Sequence, residues 1–460
     1  MASEDGSWSN LPSVILVEIF SYLSHSDKIS AASTCKYWRC ALFHPSFWQT
    51  IHFKAKTKDR NSILRTRYLS SFFSKKLRNT TVSFDSMDPL CVQEAARVIQ
   101  KLCDNDHLRR LFLFPSHCRL ECPGKEGDGR QFFERHLLKP LQMLVRQCRK
   151  LEALSLGCSE DFACYAGRVL DLLARYQAGS LRYLKLASLK DDPDDYLLLD
   201  LDPAVFRSFH MLQVLSLDYD YVSDSLLGVL CNLGLKRFII HVHGIVESHP
   251  GTTNAAWTAF SQRSPQCEIH LTLIHSYEAV NVLHSEILRP SMNLTHLKAF
   301  FCEKLNCRAL QCLSDWYTQS LRSLWWVDSM SSPACYCLVQ QYILDEQMQP
   351  DPLVILAWKC TNLQEIVLLG YKYLDENLIA IARLRGTTLK RLDIAVQDIL
   401  FESEDTSREN ELLLEVKVSE SIGKTWAPLA DAQLHDVIHN PTAGDSDEFI
   451  LPVVLQDQDL

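Results

Sequence analysis

The sequence predicts an α/β chain in two parts: a small N-terminal helical module, then a curved solenoid with parallel strands on its concave side and helices outside. Three observations predict it. Residues 11–48 carry apolar side chains at helical spacing, one strand phrase keeps returning beyond residue 100, and helical patterns lie between its copies. At 460 residues the chain exceeds what one core usually fills, which also favours separate domains or an array.

The first element is residues 11–23, LPSVILVEIFSYL. Leu11, Val14, Ile15, Ile19, Phe20 and Leu23 recur at steps of three and four and make one stripe on a helix. Pro12 suits a first helical turn, where its missing N–H costs nothing. After a polar break, Asp27 is expected to cap a second helix carrying Ile29, Ala32, Cys35 and Trp38. A third amphipathic piece follows at Ala41–Trp48. So small a unit buries little surface, so part of its apolar stripe is left for a partner or for the rest of the chain.

The ordered string Leu11-Pro12, Ile15-Leu16, Ile19-Phe20, Tyr22-Leu23, Asp27, Ala31, Cys35, Trp38 and Phe47-Trp48 resembles an F-box along its length. The resemblance implies a module over residues 9–50, behind a disordered start at 1–8, that binds the adaptor subunit of SCF ubiquitin ligases. Through that adaptor it implies cullin and RING subunits as partners. Leu11, Pro12, Ile15, Ile19, Phe20 and Leu23 stand at the positions that make the adaptor contact in that family. Val14 stands where an acid is common, and Thr34 where an aliphatic residue precedes the cysteine.

The returning phrase is Leu-x-x-Leu-x-Leu, at Leu108/Leu111/Leu113, Leu151/Leu154/Leu156, Leu181/Leu184/Leu186 and Leu212/Leu215/Leu217. Looser copies are Leu235/Phe238/Ile240, Leu294/Leu297/Ala299, Leu321/Leu324/Trp326, Leu363/Ile366/Leu368 and Leu389/Leu392/Ile394. Degenerate units are expected at Val82/Phe84 and at Ile269/Leu271/Leu273. Spacings of 30, 31, 27 and 26 between successive starts lie at or just beyond the leucine-rich-repeat period. Between them, Cys164–Tyr176, Asp224–Asn232 and Asp375–Arg385 read as helices, with Asp224 and Asp375 as caps. Strand and helix in alternation bury their apolar faces only by stacking on neighbours, hence the solenoid.

Cys148 and Cys360 each sit three positions ahead of a repeat's first leucine, which resembles the cysteine-containing repeats often found behind F-boxes. The stretches DPLVILAWKCTNL (351–363) and LIAIARLRGTTL (378–389) resemble the "F-box only" subgroup numbered thirty-three and thirty-nine in vertebrates. The expected organisation is therefore a basic connector at 51–79, a leucine-rich-repeat solenoid at 80–400, and a terminal cap with an acidic tail at 401–460. The connector rests on nine Lys or Arg between Lys54 and Arg78 against one acid, Asp59. Short charge runs of this kind usually face water, with a patch for an acidic partner as the alternative.

Side chains alternate across a strand, so residues flanking the repeat leucines point to the concave face. The face is expected to display Tyr183, Lys185, Asp218, Arg237 and His241, then His296, Lys298, Trp325, Glu365 and Arg391. Aromatic and arginine side chains are the usual anchors of protein interfaces, so an unidentified protein target is expected here. Trp325 is the most suggestive, because the adjacent Trp326 fills the inward slot. The acidic loop Asp191, Asp192, Asp194 and Asp195 follows a repeat strand and reads as a solvated turn, with a site for a basic target segment or a cation as the alternatives.

A net charge of −9 disfavours nucleic acid as a partner. No run is long and apolar enough for a membrane, and the start lacks a secretory pattern, so a cytoplasmic or nuclear chain is expected, with its 17 cysteines reduced. Gly423-Lys424-Thr425 lacks the upstream glycine of a phosphate loop, since Val418 stands there. Cys118, Cys122 and His117 fall short of four zinc ligands, and His241 with His243 is only a pair. No catalytic residue, metal or cofactor is expected. The function expected is that of a substrate-recognition subunit of an SCF-type ligase, with a non-catalytic scaffold as the alternative.

Overall fold

A strand followed by a helix recurs in both compact units of the chain, residues 1–114 with 121–153, and residues 115–120 with 154–460. The computed structural model describes residues 8, 11–124, 128–198, 201–245, 249–330, 351–401 and 408–456. The expected disordered start, except Trp8, and the acidic run Glu402–Asp405 lie outside the described residues.

The first unit opens with α1 (Ser13–Tyr22), α2 (His25–Thr34) and α3 (Lys36–Leu42), then a 3₁₀ turn at Pro45–Trp48. Two expectations are corrected here. The cap of α2 is Ser24, whose Oγ accepts the Asp27 N–H at 3.2 Å, so Asp27 lies inside the first turn. The expected second helix is also broken at Cys35, whose extended backbone ends α2 and whose Sγ caps α3. Trp48 and Phe43 stack on Phe73 at 4.1 and 5.9 Å between ring centres, which ties the three-helix module to the elements after it.

Those elements correct the connector at 51–79. Residues in this span build β1 (Thr50–Ala55) and α4 (Arg60–Phe73), capped by Asp59, and β1 pairs in parallel with β2 (Asn79–Phe84). Ile51, Phe53 and Ala55 bury one face of β1, and Leu69 and Phe73 bury one face of α4. The nine basic residues are all exposed, Lys54, Arg60, Arg65 and Arg67 on this strand and helix and the other five in the turns beside them. Next come α5 (Pro89–Leu102), β3 (Arg110–Pro115) and α6 (Lys139–Gln147). Glu94 on α5 is buried and meets Arg67 and Arg97, each at 2.5 Å. Asn105 ties successive turns: its Nδ2 donates to the carbonyls of Ser74 and Leu77, and Cys148 donates to its carbonyl.

The second unit contains β4 (Ala153–Ser155), α7 (Ala166–Tyr176), β5 (Tyr183–Lys185), β6 (Val214–Asp218), α8 (Asp224–Leu230) and β7 (Arg237–Val242). It continues with α9 (Asn254–Arg263), β8 (Glu268–Ile274), β9 (Leu294–Phe300), α10 (Cys307–Trp316), β10 (Ser323–Val327) and α11 (Pro352–Lys359). Last come β11 (Glu365–Leu369), β12 (Tyr373–Leu374), α12 (Asp375–Arg385), β13 (Arg391–Ile394), β14 (Ile399–Leu400), α13 (Arg408–Ile422) and α14 (Ser446–Gln456). Strands β5 to β11 and then β13 pair in parallel in chain order, while β12 pairs separately with β14. The register aligns Leu217, Ile240, Leu271, Leu297, Leu324, Ile366 and Leu392 in one row across the sheet, every one buried. A bulge at Ile269/His270 absorbs the irregular spacing there.

Two expected caps are also corrected. Ser223 caps α8 by accepting the Leu226 N–H, while Asp224 binds Thr253 instead. At α12 the cap position is Leu374, and Asp375 is the first residue of the helix, where a carboxylate still favours the positive end of the helix dipole. The last repeat is closed by α13 packing on α12, by Trp426 Nε1 donating to the Leu392 carbonyl at 2.6 Å, and by a bridge from Ala395 to Leu429. Gly423, at φ +73°, ends α13, so Gly-Lys-Thr is a helix stop. The fifteen described cysteines are free thiols.

Gly370 follows β11 at φ +77°, and a Cβ placed there would lie 2.5 Å from the Asp328 carbonyl oxygen. Gly370→Ala is expected to cost on the order of 2 kcal/mol or more, since left-handed backbone and a backbone clash combine. Denaturant unfolding reads this as a lower midpoint with an unchanged slope.

Candidate protein-binding sites

Helix α1 is apolar nearly all round, so it serves two surfaces at once. Leu16 and Phe20 form the module's core with Ala32 and Ala41, and Leu11, Leu23, Trp38 and Phe47 pack against it. Phe20 meets Trp38 edge-on at 5.9 Å and lies 6.1 Å from Phe47. The opposite side leaves Val14 (73% exposed), Ile15 and Tyr22 (82%) in solvent, with Ile29 of α2 and Tyr37 of α3 also exposed. Exposed apolar side chains grouped on a small helical unit mark a docking face.

Of the six expected adaptor contacts, Pro12 and Ile15 are exposed, and Leu11, Ile19 and Leu23 are half-buried. Phe20 is corrected: it is fully buried and holds the module together. Tyr22 and Ile29 are exposed as well, which spacing alone did not single out. The signal was present, since one stripe cannot hold all of α1's apolar residues.

The second surface is the strand face opposite the leucines. Register places Ser216, Ile239, His270, His296, Ser323, Glu365 and Arg391 in one row, and Asp218, His241, Thr272, Lys298, Trp325, Val367 and Asp393 in the next. The side chains of each row pack on one another. His270 and His296 stack at 3.9 Å, and the Trp325 ring lies between the Lys298 ammonium at 4.4 Å and the Arg391 guanidinium at 4.3 Å. The Trp325 indole donates to Glu365 at 3.3 Å.

Burial corrects half of the expected target face. Lys185, Asp218, His241, Lys298 and Trp325 are buried, Tyr183, Arg237, His296 and Glu365 are half-buried, and Arg391 alone of the ten is exposed. Two physical causes account for this. Charged residues on the face pair internally: Lys190 Nζ lies 3.0 Å from Asp218, and Ser188 donates to the same carboxylate through N–H and Oγ. His241 and His243 both approach the Ser188 carbonyl at 3.0 Å. Burial alone would push the Asp218 carboxyl up, but the Lys190 charge and His243 outweigh it and hold it well below the usual carboxylate range.

The second cause is the C-terminal segment. The expected acidic tail is instead folded onto the strands. Asp447 accepts the Cys118 N–H at 2.7 Å, His117 Nε2 lies 3.2 Å from Asp445, and Ser446 Oγ is 2.8 Å from His275 Nε2. Phe449 lies 6.1 and 6.0 Å from the rings of Phe300 and Phe301. Ile450, Leu451, Val454 and Leu455 are buried, and Gln456 borders an open cleft of about 560 Å³ with Arg237, His296, Glu365 and Lys390.

Among the described residues, three groups bring possible metal ligands within 4.8 Å: His117/Cys118/Asp191, Asp218/His241/His243 and His117/Asp445/Asp447. Three of these donors are engaged otherwise. Lys190 already neutralises Asp218, Asp191 pairs with Arg119 at 2.7 Å, and His117 Nδ1 accepts the Arg119 N–H at 3.0 Å. Burial and then Asp447 push the Cys118 thiol far up, keeping it protonated.

Two measurements follow from these contacts. Asp218→Asn leaves the buried Lys190 charge without a counter-charge and is expected to cost about 3–5 kcal/mol in unfolding free energy. Burial and then the neighbouring His243 push the His275 imidazole down from 6.5 to about 4. Unfolded, it would take up a proton near 6.5, so stability holds above that pH and falls as the pH drops toward 4. His275→Gln removes this loss, so unfolding free energies of variant and parent should converge between pH 6.5 and 4.

Comparison with known proteins places a family described as F-box-like on residues 8–54. Curated relatives include human F-box only protein 33, 22% identical over 94% of this chain and 85% of its own. Bovine F-box/LRR-repeat protein 21 is 21% identical over 92% of this chain and 89% of its own. Among solved structures, TLR13 in a TLR13–ssRNA13 complex matches with a TM-score of 0.33 and 11% identity. That match covers 78% of this chain and 53% of the other, about half its length. An internalin of Listeria monocytogenes gives 0.28 at 11% identity, over 81% and 95%. Scores so low constrain nothing further. Among the described residues no helix is long and apolar enough to cross a membrane.

Proposed function

We propose that this chain, which carries an F-box-like domain at its N-terminus and leucine-rich-repeat strands behind it, is the substrate-recognition subunit of an SCF-type ubiquitin ligase. The observation that carries the reading is the F-box-like module at 8–54, built on a buried Phe20 with Val14, Ile15 and Tyr22 left exposed. In this reading that face takes the adaptor subunit, and cullin and RING subunits join through the adaptor. The repeats take a target protein. Residues exposed or half-buried on the concave rows, chiefly Arg391, Glu365, His296 and Arg237, are its first contacts.

Bond-making chemistry then belongs to the other subunits, and this chain contributes proximity. Holding a lysine-bearing target beside a charged carrier enzyme raises the effective concentration of the reacting groups. The family likeness to F-box only protein 33 and F-box/LRR-repeat protein 21 supports the same division of labour.

Pull-down of adaptor and cullin tests the reading. The parent chain should retain both. Ile15→Asp puts a charge on the exposed stripe and should lose both without a change in melting temperature. Phe20→Ala opens the core, with a stability loss of about 3–5 kcal/mol, so its loss of adaptor should come with unfolding of the module. If the parent chain retains adaptor but no cullin, the chain is a scaffold outside a ligase.

A further inference from the structure

Helix α14 does not close the solenoid. The last strand is already covered by α13, Trp426 and Leu429, with Asp431 accepting from Gln397 beside them, so α14 is free of that duty. It instead turns back along the unit until Asp447 reaches Cys118, 329 positions earlier. Residues 440–444, Asn-Pro-Thr-Ala-Gly, are exposed and lead into α14. The helix itself is a poor one, because Pro452 lies in its interior and removes one backbone hydrogen bond. It owes its shape to what it lies against.

Its contacts are those of a recognised ligand. Two carboxylates in the approach and first turn, Asp445 and Asp447, meet the His117 imidazole and a main-chain N–H; hydrogen bonds to an ionised group of this kind are among the stronger ones. Two residues on, Phe449 enters between Phe300, Phe301 and His435. Aliphatic residues then line the buried side to Leu455, and the cleft beyond Gln456 carries Arg237, Arg322 and Lys390.

We infer that this groove is a receptor for a helical target segment with two carboxylates at its start and an aromatic ring two residues later, and that α14 occupies it as an internal stand-in. The inference rests on reading the solenoid as a target receptor. A tethered segment competes at high effective concentration, so a free segment of the same chemistry binds only to the fraction of molecules whose tail is displaced.

The probe is a labelled peptide of residues 442–456, TAGDSDEFILPVVLQ, titrated against the full chain. In the variant Asp445→Ala/Asp447→Ala/Phe449→Ala the peptide should bind at least about tenfold tighter than to the parent chain. A peptide carrying Asp447→Lys and Phe449→Ala should show no gain. The single variant Phe449→Ala, with the milder change, should give a smaller gain. Variants that melt cooperatively yet bind the peptide no better overturn the inference. So does loss of cooperative melting in both, since α14 would then be an obligatory part of the core. Adaptor capture on the same variants separates the two readings: adaptor retained with no peptide gain sinks the groove alone, and peptide gain without adaptor sinks only the ligase reading.

Discussion

Everything in the second unit depends on one row of aliphatic side chains kept in register. Leu217, Ile240, Leu271, Leu297, Leu324, Ile366 and Leu392 lie side by side on seven parallel strands, and none can be dry unless both neighbours are in place. Burial of apolar surface is the main favourable term in folding, and here it is available only cooperatively. That constraint fixes strand order and spacing, and it fixes which side chains face the other way. The residues of the concave rows are where they are because alternation leaves them no other side.

This explains what could be read in the sequence. Leu-x-x-Leu-x-Leu is a direct record of alternation, so the strand positions at 184, 215, 238, 297, 324, 366 and 392 were legible, as was the facing of Trp325 away from Trp326. Caps were less so. Ser24 lies close to Asp27 and Ser223 beside Asp224, and two good capping residues near one helix start compete for the same orphan N–H groups. The first repeat was hidden because Ile51, Phe53 and Ala55 are few and carry no leucine, and basic residues surround them.

The surfaces were legible only in part, for a different reason. Helical spacing on α1 selects a stripe, yet it cannot say which of two apolar sides faces the core; Phe20 went inward and Tyr22 outward. Alternation likewise put Lys185, Asp218, His241, Lys298 and Trp325 on the concave side, and did not say that this side would be covered. Covering depends on a segment more than one hundred positions away, and no local pattern encodes such a contact.

The same separation has a consequence for how the molecule comes into being. A ribosome delivers residues in order, at about 5–20 per second, so Asp447 leaves the exit tunnel roughly 15 to 65 seconds after Cys118. Throughout that interval the strands emerge and stack while the segment that will lie across them has not been made. Each newly synthesised molecule therefore passes through a period with its groove uncovered, aromatic rings included, before it is ever released.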